Sequence, residues 1–256
     1  FNYTKLTFAS LLLIDNPKNV LIIGLGGGTL SNVISELYPD AMIENVEIDP
    51  AVIKVARDYF AFKENDKVTS KVQDGRIFIK RAAIQQAKYD WIILDAFNGD
   101  YIPEHLLTKE FFAEVKSVLA DGGVVAANTF SSSKLYEHES ATYEAVFGDF
   151  INVSTEKNSN RIILAGFNKF PSPVQLAQRI EKLTPLLAPY RVDIKVVSEG
   201  HENIVQPLKM PVGHLPLRIG GYPKAGEINR SRGNHFNIPC EGPPLAVSAN
   251  HCEVMI

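Results

Sequence analysis

The stretch that most constrains the fold is "VLIIGLGGGTL", Val20 to Leu30, in which four glycines fall within the five positions Gly24–Gly28, directly after an apolar run. Glycine lets a backbone turn sharply and lets another group approach where a Cβ would stand, at a cost in chain entropy. An apolar run, a glycine turn and then a helical face of Leu30, Val33, Ile34 and Leu37 describe a buried strand feeding a helix. In an open α/β sheet, ligands bind at the carboxyl ends of the strands. The loop is therefore either the floor of a nucleotide-like site or a tight turn with no ligand.

The rest of the chain repeats this rhythm. "AMIENVEID" reads as a second strand, and Asp49-Pro50 opens a helix with a capping carboxylate and a first-position proline. Val52, Val55, Ala56 and Tyr59 form its expected buried stripe. "KVTSKVQ" is a third strand, followed by a helix over "GRIFIKRAAIQQ". "YDWIILD" is a fourth, followed by a helix over "HLLTKEFFAEVKSVLA". Asp121-Gly122-Gly123 turns the chain into a fifth, "VVAANTF". "FINVSTE" and "RIILAGF" pair as a closing hairpin across "KNSN", and "VQLAQRIEKLTPLLAPY" is a helix with a break near Pro185. Strand–helix alternation predicts an α/β fold: a mostly parallel, seven-stranded sheet with helices on both faces. Residues 1–18 lead in, 19–197 form the domain, and 198–256, dense in proline and glycine, read as an irregular tail.

The predicted strand ends carry a succession of functional groups. Glu47 ends the second strand, where an acid can accept both hydroxyls of a ribose; a solvated carboxylate is the plain alternative. Asp74-Gly75 ends the third, where the carboxylate can accept from an adenine amino group; an ordinary Asp-Gly turn is the alternative. Asp95 ends the fourth. Together these favour an adenosine-bearing ligand. A dinucleotide would prefer a third glycine where Thr29 stands. Repeated acids suit a positive reactive centre such as a sulfonium, hence S-adenosylmethionine or its decarboxylated relative.

Bulk properties exclude several classes. With 256 residues, 45% of them hydrophobic, the chain can bury one large core. A net charge of −3 does not suit a nucleic-acid binder. No apolar run approaches the roughly 20 residues of a membrane helix. Two cysteines, Cys240 and Cys252, are too few for a disulfide framework and fit a reducing cytoplasm. His235, Cys240, His251 and Cys252 match no familiar zinc spacing, so no metal is expected. The first residue is Phe1, and the sequence reads as a fragment or processed product.

"VLIIGLGGGTL", "VEIDP", "VQDGRIFI" and "YDWIILDAF", in this order and spacing, resemble the spermidine synthase family of polyamine aminopropyltransferases, above all its divergent bacterial spermidine synthase-like branch. The resemblance runs from about Tyr3 to Gly166. It implies a Rossmann-like domain of the class I methyltransferase type. It also implies aminopropyl transfer from decarboxylated S-adenosylmethionine to a small amine. Gly24, Leu25, Gly26 and Gly28 would line the cofactor, Glu47 with Ile48 would hold the ribose, and Asp74 with Gly75 would meet the adenine. Asp95 would be the catalytic base, and Tyr3, Asn98 and Asp100 would contact the acceptor. Ile22 supports this family, since methyltransferases of the fold usually carry an acid two residues before the first glycine. The family's N-terminal β domain, which helps it oligomerise, is mostly absent here; a homodimer is the expected assembly.

Three family carboxylates are replaced: Gly27 stands in the glycine loop, Asn98 three residues after Asp95, and Asn128-Thr129 near the end of the fifth strand. The lost acids leave two alternatives open, a methyltransferase acting on a small molecule and a non-catalytic nucleotide-binding relative. His105 is expected to close the pocket or face solvent, with catalytic use as the alternative.

Overall fold

A computed structural model describes residues 2–98, 101–154 and 160–199. Asp100, the zinc candidates and all of the expected tail after Glu199 lie outside the described residues. The chain opens with helix α1 (Asn2–Thr7) and a 3-10 turn (Phe8–Leu12), and then enters β1 (Asn19–Ile23). Four parallel units follow: α2 (Thr29–Leu37) and β2 (Met42–Glu47), then α3 (Pro50–Tyr59) and β3 (Val68–Val72). Next come α4 (Gly75–Ile84) and β4 (Tyr89–Leu94), then α5 (Lys109–Val118) and β5 (Leu119–Phe130). Helix α6 (Tyr136–Phe147) leads to the hairpin of β6 (Ile151–Ser154) and β7 (Asn160–Ala165). Helices α7 (Pro173–Leu187) and α8 (Ile194–Glu199) complete the described chain.

The seven strands lie in the order β3-β2-β1-β4-β5-β7-β6, with β7 antiparallel to both neighbours. The strand order reverses between β1 and β4, which opens a crevice at their carboxyl ends. Side chains alternate across the sheet. Val20, Ile22, Trp91 and Ile93 join a core built with α1, α2, α3, α7 and α8. Leu21, Ile23, Ile92 and Leu94 join a second core with α4, α5 and α6. The N-terminal segment belongs to the first core, with Phe8 and Leu11 buried and the Phe8 ring edge-on to Trp91.

Four local expectations change. In α3, Ile53 and Ala56 are buried while Val55 and Tyr59 are exposed. The Asp49 cap, which accepts from the Ala51 N–H, and Pro50 fix how the helix leaves β2 and so rotate its inward face. Asp121–Gly123 does not separate a helix from a strand. These residues form a bulge inside β5, where Leu119 pairs with Tyr89 and Val124 with Trp91, and Gly122 takes φ +70°. Helix α7 runs through Pro185 to Leu187, because a proline near the last turn forfeits little of the backbone ladder. Helix α6 has no counterpart in the sequence reading, because its buried face is largely polar: Glu139, Ser140 and Thr142 lie inside.

That polar face meets Arg161 of β7, 1% exposed. Its guanidinium donates to Thr129 Oγ1 at 3.0 Å, Ser140 Oγ at 2.8 Å and Glu139 Oε2 at 3.0 Å, and stacks over the Tyr136 ring. A buried charge that loses its partner is costly. Arg161→Met is expected to lower unfolding free energy by about 3–5 kcal/mol, with most of the loss recovered in Arg161→Met/Glu139→Leu, as read by urea denaturation.

Candidate functional site

The sheet order sets Asp74, Glu47, Gly24 and Asp95 on four adjacent strand ends, those of β3, β2, β1 and β4. Gly24 has φ +93°, and a Cβ there would stand 2.2 Å from the Asp95 carbonyl oxygen. The glycine loop and the Asp95 backbone therefore touch directly. The Asp95 N–H donates to Ile23 O at 2.8 Å, and the Gly24 N–H to Val46 O at 2.8 Å. Gly28 takes φ +72° with Phe62 packed where its Cβ would be, whereas the space above Gly26 is open.

Glu47 is 8% exposed and braces this loop. Its carboxylate accepts from the Leu25 N–H at 3.0 Å and from the Asp49 N–H at 3.0 Å. Each oxygen keeps acceptor capacity for a ligand hydroxyl. Ile48, beside it, is 66% exposed, an apolar surface at the crevice edge. Gly75 starts α4 against Ile23, where a Cβ would lie 2.5 Å from Ile23 Cγ2.

Asp74 caps α4: one carboxylate oxygen accepts from the Ile77 N–H at 2.9 Å, and the other meets His105 Nε2 at 2.8 Å. Burial pushes its carboxyl up, but the Ile77 N–H and His105 outweigh that and hold it below the usual carboxylate range. His105 thus neither stands alone nor approaches Asp95 through any described bond; it latches the loop after β4 onto α4. Buried Arg76 reinforces the latch, donating to His105 O at 3.1 Å and pairing with Glu114 through two 2.9 Å bonds.

Asp95 lies at the centre of a cluster. The Asn128 amide donates to its Oδ1 at 2.8 Å, and Asn160 donates to Asn128 Oδ1 at 3.0 Å. Tyr3, from α1, also hydrogen-bonds the carboxylate. Burial raises the Asp95 carboxyl to about 7; the Asn128 amide opposes this, the Glu47 charge adds to it, and the Tyr3 hydroxyl opposes it. Burial, and then the Asp95 charge, push the Tyr3 phenol up to about 12. Phe97 packs edge-on to Phe130 at 5.2 Å between centroids and pins the chain just past Asp95.

Asn98 makes no described hydrogen bond to this cluster. Its N–H donates to Tyr101 O at 2.8 Å and its amide to the Tyr101 hydroxyl at 2.7 Å, closing a small exposed turn. The sequence pattern marks Asn128 only as a replaced acid and gives no sign of Asn160. The signal that finds them is the register, since the Phe130–Asn160 and Asn128–Ile162 pairs make Asn160 a diagonal neighbour of Asn128. Among the described residues no three His, Cys, Asp or Glu side chains converge as a metal site, and no helix is long and apolar enough to cross a membrane.

Residues 3–156 match the model of the spermine/spermidine synthase domain. The chain belongs to this family. A polyamine aminopropyltransferase of Vibrio vulnificus is 47% identical over 196 residues, 76% of this chain and 66% of that protein. One of Chromobacterium violaceum is 34% identical over 187 residues, 71% of this chain and 70% of that protein. The chain thus spans about two thirds of the length of these relatives. The crystal structure of human methyltransferase-like protein 13 in complex with SAH aligns with a TM-score of 0.68 at 26% identity, covering 73% of this chain and 93% of that one. The Rossmann-like methyltransferase fold is thereby common to both groups.

The raised Asp95 carboxyl has a stability consequence. Its folded value of about 7 lies above the unfolded 3.8, so the folded state binds the proton more tightly. Folding stability therefore falls as pH rises from about 4 to about 7, and then levels. Asp95→Asn removes this dependence. The Tm of the variant is expected to exceed that of the parent by an amount that grows between pH 5 and pH 8, as followed by scanning calorimetry.

Proposed function

We propose that the chain is an aminopropyltransferase acting on decarboxylated S-adenosylmethionine and a small primary amine, with Asp95 as general base. The observation that carries this reading is the half-buried Asp95 carboxyl, flanked by Tyr3 and Asn128 and set against the glycine turn. Family membership and the names of the relatives support the reaction class. Gly24, Leu25, Gly26 and Gly28 would line the donor. Glu47 would hold its ribose, Ile48 and Gly75 would border the base, and Asp74 would accept from the adenine amino group.

The chemistry fits the chain's own groups. An alkyl ammonium, with a pKa near 10.4 in lysine, carries no nucleophilic lone pair at neutral pH. Asp95, raised to about 7, is about half ionised there and is a stronger base than an ordinary aspartate. It accepts the ammonium proton and orients the freed nitrogen. The nitrogen bonds to the aminopropyl carbon beside the sulfonium as the C–S bond breaks, and the bonding pair leaves on sulfur as a neutral thioether. Tyr3 and Asn128 hold the carboxylate in place during this step. The same reading carries the cytoplasmic setting, the acceptor contacts of Tyr3, Asn98 and Asp100, and the homodimer.

Gly27 favours a second reading. No acid stands there for a donor amine, and a Cβ would meet the Phe60 ring at 3.2 Å. Ordinary S-adenosylmethionine and methyl transfer are the alternative. Ile22, buried where methyltransferases usually carry an acid, opposes it. Titration calorimetry is expected to show tighter binding of the decarboxylated donor; preference for the carboxylated form moves the assignment to methyl transfer. Asp95→Asn is expected to keep donor affinity while turnover drops about a hundredfold or more. Undiminished turnover removes Asp95 from the base role.

A further inference from the structure

We propose that Asn160 is a positioning residue: from the start of β7 it turns the Asn128 amide so that its NH2 group, not its carbonyl, faces Asp95. The link to transfer chemistry rests on the reading of Asp95 as the base; the orientation itself does not.

Asn128 is buried on β5, with one end of its amide on Asp95 Oδ1 at 2.8 Å and the other on Asn160 Nδ2 at 3.0 Å. The two ends of an amide have nearly the same shape, so packing alone does not choose between them; the partners do. An ionised carboxylate can only accept and therefore requires the NH2 end. When Asp95 takes up a proton it can also donate, and that requirement weakens. The Asn160 donor then still holds the Asn128 carbonyl away from Asp95. A carboxylate that keeps its donor is favoured in the ionised form that can take a proton from the acceptor.

Asn160 is itself held firmly. The next residue, Arg161, is clamped by Thr129, Ser140 and Glu139 and covered by the Tyr136 ring. Its carbonyl also accepts from the Thr129 hydroxyl at 3.3 Å. Thr129 follows Asn128 directly, so one clamp fixes the backbone on both sides of the amide pair. The other groups that act on Asp95 are the Glu47 charge from β2 and the Tyr3 hydroxyl from α1. Glu139 and Arg161, the nearby charges on α6 and β7, are paired with each other.

The test is a substrate-free carbon-13 NMR titration of the Asp95 carboxyl, assigned by its loss in Asp95→Asn. Asn160→Ala is expected to raise the midpoint by about 0.5 to 1 pH unit. Asn160→Leu, which keeps the shape but removes the donor without adding charge, is expected to raise it by a similar amount and serves if the alanine variant fails to fold. In an Asn128→Ala background, Asn160→Ala is expected to leave the midpoint unmoved. A wild-type midpoint in folded Asn160→Ala or Asn160→Leu overturns the proposal, as does an equal displacement without Asn128. The acidic limb of the kcat–pH profile is expected to follow the NMR midpoint, with KM for the amine little changed. A moved midpoint in a protein that transfers no aminopropyl group defeats the functional reading alone. An unmoved midpoint in a protein that does transfer it defeats the positioning role alone.

Discussion

The site depends on one close approach between backbones. At Gly24 the end of β1 passes so near the Asp95 peptide that any side chain would overlap its carbonyl oxygen. The positive φ at Gly24 excludes most other residues independently. Because the glycine turn and the Asp95 segment share this contact, the loop that would cradle a nucleoside and the carboxylate that would do the chemistry are one mechanical unit. Glu47 ties the neighbouring strand into it through the Leu25 N–H. Three strand ends are thus braced before any ligand arrives, which lowers the ordering cost of binding.

The second constraint is electrostatic. Two carboxyl groups, Glu47 and Asp95, are brought within each other's field at the edge of an apolar core. Glu47 is answered by backbone N–H groups, and Asp95 by a phenol and an amide. None of the described partners of Asp95 carries a full positive charge. Neutral donors leave the carboxyl basic, whereas a lysine or arginine in their place would stabilise the anion and weaken it as a base. The arrangement sacrifices some folding stability and gains basicity near neutral pH, a common compromise at functional sites.

Much of this was legible in the residues. The turn chemistry of Gly24–Gly28, the Asp49-Pro50 cap and the acids at successive strand ends are local signals, and the structure sets them side by side. Tyr3 is readable only through resemblance, because nothing local says that the first helix packs on the fifth and seventh strands, beside Asp95. Asn128 and Asn160 lie 32 positions apart and meet only through the antiparallel register of β5 and β7. Helix α6 escaped because hydrophobic periodicity is blind to a buried face made of Glu139, Ser140 and Thr142. Periodicity does not settle the inward face of α3, because several apolar residues crowd it and the strand exit decides which of them turns inward.

The buried pair of Arg161 and Glu139 has a consequence for how the family can diverge. Each residue is tolerable only beside the other, so a lineage that exchanges one for an apolar side chain passes through a poorly folding intermediate unless the second exchange is already present. The two positions should therefore drift together or not at all, and correlated replacement across relatives would betray the docking of α6 on β7 where hydrophobic patterning is silent.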